Sequence, residues 1–326
     1  MSMGALTQLS LQTVFQYCFL AIIIAVLSGC SSGEAQLEGE IFSTEKRLKE
    51  LTSAFETQTL RNANIIQNYV SILQISRVEL RPLLTELGKE ATIENPFYKS
   101  LQSRFKGIQN ETEAFDSWAD KVKELQLIQA AADTAAFNDA LSDTVNVLAD
   151  LSNGELARVN AVSKETELSM NNSKDYGAGS QYMGNPHYGS WSQGSGGSFW
   201  VWYGQYRFFN SMFGGNRHYY NDWSGRRGYS YYSDIGRNNY TSRSQKAAQT
   251  NVQTRATKQF GSNRSFASPY SKPRTGATGM SKSSLAAQKS SFKSPYSKST
   301  ASSNSRYQSS ARSGGYRTSS GTSRGK

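Results

Sequence analysis

From Leu37 onward, apolar side chains recur in steps of four and three: Leu37, Ile41, Thr44, Leu48, Leu51 and Phe55, with Thr44 the one polar member. That spacing writes a stripe along a helix, of the width used in coiled coils and bundles. Gln58 interrupts it, and apolar residues resume with a slip through Ile65, Ile66, Tyr69, Val70, Ile72 and Leu73. Arg81-Pro82 predicts a break, because a proline pushes its predecessor out of the helical region. Gly88 and Asn95-Pro96 mark a connection. Further stripes run through Tyr98, Leu101, Phe105 and Ile108, then Phe115, Trp118, Val122 and Leu125, then Phe137, Leu141, Thr144, Leu148 and Leu151. Asn153-Gly154 is a second break, before a short helix from Glu155 towards Ser169. The expected fold is mainly α: a helical bundle of three or four antiparallel helices, or a coiled-coil segment, over residues 35–170. Packing within the chain is the simpler outcome. The alternative is a homo-oligomer formed through the first helix.

Charge divides the chain sharply. Residues 1–30 carry no Lys, Arg, Asp or Glu; residues 31–175 hold 15 basic and 23 acidic side chains; residues 176–326 hold 21 basic and only 2 acidic. Such asymmetry points to a folded part with an attached interaction tail. The carboxylates of the acidic part invite an enzymatic reading. However, Glu111, Glu113, Asp116 and Asp120 cluster at a helix start, where acids complement the dipole. Glu45, Lys46, Arg47, Lys49 and Glu50 mix signs as a solvated face does. No His lies between residues 31 and 175. Without His or Cys, base, nucleophile and metal-ligand arrangements lose most of their candidates. The expectation is a non-enzyme without cofactor or metal.

Residues 171–240 change character to Gly, Ser, Asn, Tyr and Trp. Their centre, Phe199-Trp200-Val201-Trp202-Tyr203, has strong β-propensity and no charge, and is bounded by Gly197 and Gly204. It predicts a short strand or hairpin docked on the helices, with Phe199, Trp200, Trp202 and Tyr203 as a candidate interaction patch. The Gly194–Gly197 run follows no predicted strand and opens no helix, so it is no phosphate cradle. His187 and His218, the only histidines, lie far apart among Tyr and Asn and make a poor metal site.

The N-terminus decides location. The apolar run Phe19–Leu27 is too short to cross a bilayer core but has the length of a signal-peptide h-region. It ends in Leu27-Ser28-Gly29-Cys30, which resembles the lipobox of bacterial lipoprotein signal peptides. No Lys or Arg precedes it, a departure from the usual charged n-region. The resemblance implies removal of residues 1–29, acylation of Cys30 and a short linker over 30–34. Cys18 would be lost with the leader, leaving no partner for a disulfide. Ser31 after the Cys, rather than Asp, implies the outer membrane, facing the periplasm.

From Thr241 to the end there are 16 Lys and Arg and no Asp or Glu. A weak repeat, "SFASPYSKP" at 265–273 and "SFKSPYSKS" at 291–299, interleaves Tyr with single cations. The composition predicts a disordered tail over 241–326. In the cytoplasm a flexible polycation with stacking faces would suggest RNA. Behind a lipobox no nucleic acid is expected, and the available partners are peptidoglycan, lipopolysaccharide or another envelope protein. The sequence thus suggests a membrane-anchored tether. Its alternative is an accessory subunit binding through the bundle and the Trp-rich patch.

Overall fold

The computed structural model describes residues 11–112, 114–159, 164–171, 173–212, 214–261 and 280–291, with the side chains of 11–32, 166, 170, 171 and 287–291 excepted. It is mainly helical, with one two-stranded sheet. Helix α1 runs Leu11–Glu56, α2 Arg61–Ser76, α3 Arg81–Lys89, α4 Pro96–Gln109 and α5 Trp118–Ala132. Then follow α6 Thr134–Ala140, α7 Ser142–Leu151 and α8 Lys164–Asn171.

The first stripe is inward-facing over its whole length: Leu48, Leu51 and Phe55 are buried, and Leu37 and Ile41 pack against the same core. Its polar member is satisfied rather than tolerated. Thr44 donates to the Glu40 carbonyl at 2.7 Å and accepts from Gln129 of α5 at 3.0 Å. The stripe thus packs on α5 of the same chain. Residues 30–34, expected as a linker, lie within α1.

The break expected at Arg81-Pro82 is present: α2 ends at Ser76 and Arg81-Pro82 opens α3, since proline is well placed in a first turn. Gly88 lies inside α3. Asn95 caps α4, its Oδ1 accepting from Phe97 N at 2.8 Å and Tyr98 N at 3.3 Å, while its Nδ2 donates to the Glu90 carbonyl at 2.7 Å. Asn95→Ala removes the cap and orphans a buried carbonyl, so a loss of about 2 kcal/mol is expected in denaturant unfolding. Asn95→Asp should lose at least as much, because it sets a buried carboxylate oxygen against the Glu90 carbonyl in place of a donor.

Three helical expectations are corrected. Trp118, placed in a buried stripe, is half exposed: it is the first residue of α5, and its ring lies over Gly33 of α1. Ile72 sits on the outer side of α2, where Ile66, Val70 and Leu73 face inward. Residues 155–159, expected to open a helix, are not helical, since Asn153 and Gly154 both adopt positive φ, at 57° and 91°, and turn the chain; a helix is described over Lys164–Asn171.

The aromatic segment shares a core with the helices. Strands β1 (Gly189–Gly194) and β2 (Gly197–Trp202) form an antiparallel hairpin, with Trp191 opposite Trp200. Short helices α9 (Phe208–Met212), α10 (Tyr220–Arg226) and α11 (Arg237–Tyr240) follow. Tyr182 stacks on Tyr188 with centroids 3.8 Å apart, and Phe97 of α4 stacks on Tyr240 at 4.7 Å. Aromatic rings here do what aliphatic stripes do elsewhere. The glycines give them room: at Gly184, φ is +84° and a Cβ would stand 2.3 Å from the Trp223 ring.

The expectation of disorder over 241–326 is corrected where residues are described. Helix α12 spans Arg243–Phe260 and α13 spans Lys282–Ser291. A capping box holds the start of α12, with Ser242 accepting from Gln245 N and Gln245 accepting from Ser242 N. Val252 and Ala256, four apart, are buried, and α12 packs on β2 and α10. Ser284 of α13 is buried and shares a 2.7 Å hydrogen bond with the Tyr231 hydroxyl. Segments 262–279 and 292–326, which hold most of the repeat, lie outside the described residues.

Candidate functional site

Leu27, Ser28, Gly29, Cys30 and Ser31 lie on the backbone of α1, and their side chains are outside the described set. Among the described residues, no helix is long and apolar enough to cross a membrane.

The four residues of the candidate patch divide by strand alternation. Trp200 and Trp202 point inward, at 6% and 4% exposure, while Phe199 and Tyr203 lie on the other side of the strand. Trp202 lies edge-on to Trp200, centroids 5.6 Å apart, and near Phe209 at 5.2 Å. The two tryptophans are therefore largely buried, and the exposed part of the candidate patch is carried by Tyr203 and the half-buried Phe199. Tyr203 is 44% exposed, and Phe199 lies under the Arg217 guanidinium at 4.7 Å.

A groove of about 590 Å³ opens between the hairpin and α12. One wall carries Trp191, Trp200 and Tyr203; the other carries Asn251, Thr254, Arg255 and Lys258. Those four stand at i, i+3, i+4 and i+7 and so share one face of α12. No acid lines the groove, and neither Arg255 nor Lys258 forms an ion pair among the described residues. The buried Trp200 Nε1 has no hydrogen-bond partner among the described residues. A second cavity of about 810 Å³, lined by His218, holds two cations and two carboxylates, Lys174, Arg217, Asp175 and Asp222; Asp222 accepts from Lys174 at 3.3 Å and from the Tyr176 hydroxyl at 3.2 Å.

Beneath the hairpin is a polar centre that the sequence did not announce. The Glu90 carboxylate is buried and accepts from four hydroxyls: Thr144, Tyr182 at 3.1 Å, Tyr188 at 3.0 Å and Tyr206 at 3.3 Å. Burial pushes its acid up to about 7, against the lowering effect of those donors. Burial, and then the Glu90 charge, holds the Tyr182 and Tyr188 hydroxyls well above their ordinary range, so they remain donors. Asp143 is similar: it accepts from Tyr231 N at 2.7 Å and Tyr232 N at 3.0 Å, and burial raises it to about 7. Asp150 takes Gln181 and both ends of the Arg158 guanidinium; Glu167 takes Arg158 at 2.7 Å. Buried carboxylates of the helical segment thus bind donors of the aromatic segment. Perturbed acids often mark catalytic sites. These are enclosed by their own donors and line neither cavity described above.

His187 donates from Nε2 to the Tyr240 carbonyl at 2.8 Å, and burial lowers it to about 4. Among the described residues, no three His, Cys, Asp or Glu side chains gather as a metal would need. Compared with protein-family models, curated proteins and solved structures, the chain matches none.

Proposed function

We propose that the chain is a non-enzymatic envelope lipoprotein, held to the outer membrane by lipid on Cys30, whose basic C-terminal part contacts an anionic envelope polymer. The observation that carries this reading is the order of features along the chain. A lipobox-like Leu27-Ser28-Gly29-Cys30 precedes a body whose last 86 residues hold 16 cations and no acid. Arg255 and Lys258, exposed on α12 beside the aromatic groove and without an ion pair among the described residues, support it. Each cation near an anionic surface contributes on the order of 1 kcal/mol, diminishing with salt.

Two measurements test it. Cells fed a fatty-acid analogue should label the wild-type protein and not Cys30→Ala, and the variant should leave the membrane fraction, since stable anchoring needs the acyl chains. Label retained by the variant removes the anchor from the proposal. The purified mature protein should sediment with peptidoglycan or lipopolysaccharide and be released by salt. Sedimentation that is absent, or indifferent to salt, overturns the tether.

A further inference from the structure

We infer that the groove between the β1–β2 hairpin and α12 is a subsite for an acidic sugar, a pyranose ring bearing a carboxylate, and this rests on the envelope reading above. The chemistry of the two walls is complementary to such a ring. Tyr203 is exposed and Trp191 half-buried, so the hairpin wall offers aromatic surface of the kind that packs against the C–H face of a sugar. The opposite wall supplies Arg255 and Lys258 one turn apart, with no acid to neutralise them. A guanidinium takes a carboxylate through two parallel hydrogen bonds, and the ammonium adds a point charge. Asn251 and Thr254, exposed on the same helical face, are placed for ring hydroxyls.

The unpartnered Trp200 Nε1 is the second, independent sign. The edge of this indole beside Nε1 borders Gly189, itself a lining residue of the groove: a Cβ there would stand 2.8 Å from Cε2, the ring carbon bonded to Nε1. A buried N–H without an acceptor costs free energy unless something supplies one. A sugar oxygen reaching the Gly189 side of this ring would supply one. The volume of about 590 Å³ lies within the range of small-ligand sites. The glutamine side chains nearby are already engaged within the protein. Gln249 donates to Tyr232 and accepts from Arg237, and Gln245 serves the cap of α12.

The test is a titration of the mature protein followed by the indole N–H resonance of Trp200 and by calorimetry. The probes are the wall-type disaccharide N-acetylglucosaminyl-N-acetylmuramic acid, a uronic-acid disaccharide, the carboxyl-reduced form of each, and a mononucleotide. The expected result is saturable binding of at least one acidic disaccharide with displacement of the Trp200 resonance, and no saturation by the reduced forms. Which acid binds distinguishes wall glycan from surface polysaccharide. Arg255→Gln with Lys258→Gln, both exposed, should weaken binding roughly tenfold or more while leaving the thermal midpoint unchanged. Equal binding of the reduced sugars, no effect of the double variant, or binding of the mononucleotide alone overturns the subsite. Fatty-acid labelling reads the anchor separately. Labelled protein that ignores every sugar sinks the subsite and spares the anchor; unlabelled protein that binds the acid does the reverse.

Discussion

Glu90→Gln is expected to flatten the dependence of stability on pH between about 4.5 and 7. In the folded chain burial holds the Glu90 acid near 7, against an ordinary value of 4.5. Across that window the folded state keeps a proton that the unfolded state has released. Stability from this group is therefore full below 4.5 and is lost as pH rises through 7. Asp143 acts in the same direction between 3.8 and about 7. His187 opposes them: held near 4 by burial, it loses stability as pH falls from 6.5 to 4, because only the unfolded state accepts the proton. His218, lowered by partial burial, acts in the same sense as His187 but is half open to solvent; the two fully buried acids outweigh both imidazoles, so the wild type should be more stable near pH 5 than near pH 7.5. Removing the Glu90 contribution should shrink that difference by on the order of 3 kcal/mol. Gln retains an acceptor for the tyrosines, and its amide protons find hydroxyl oxygens that rotate to receive them. Urea midpoints of both proteins at the two pH values decide the matter. Parallel profiles would show that Glu90 does not titrate there.

Trp202→Ala is expected to cost about 3–5 kcal/mol, the range for truncating a large buried aromatic. Its ring fills the space between Trp200 and Phe209 on the inner face of β2. A domain's whole stability is about 5–15 kcal/mol, so a substantial unfolded fraction should appear. Tyr203→Ala, one residue on and half exposed, should stay within about 0.5 kcal/mol. The pair separates a core role from a surface role in one thermal unfolding experiment. Equal and small effects would return Trp202 to the surface.

The helical half was legible wherever apolar period and helix ends agree. Leu37 to Phe55 and Tyr98 to Ile108 could be read directly, because apolar period is a local property; Asn95-Pro96, read only as a connection, is the cap and first residue of α4. The hairpin was legible from β-propensity, but its inner face was not. Strand alternation says that Trp200 and Trp202 share a side, not which side is buried. Glu90 was invisible for a different reason. Its hydroxyl partners stand 54 to 116 residues away, so Gly88-Lys89-Glu90-Ala91 reads as any solvated acid would. Helix α12 was hidden by composition. Ser242 and Gln245 form a readable capping box, and Val252 and Ala256 are one turn apart, but both signals are submerged in Ser, Thr, Gln and Arg. The groove was hidden with it, since one of its walls is that helix.

The continuity of α1 bears on how an acylated Cys30 would hold the body. Gly33 is already packed beneath the Trp118 ring, and it lies three residues from Cys30 on the same helix. At 1.5 Å per residue the rise between them is about 4–5 Å. A lipid there would have almost no leash: the body would sit flush on the headgroups rather than sweep the space above them. Its orientation to the bilayer would be set by a stiff stub, with the half-exposed Trp118 ring at the level where indoles favour the interface. Reach towards a distant polymer would then come from the other end of the chain.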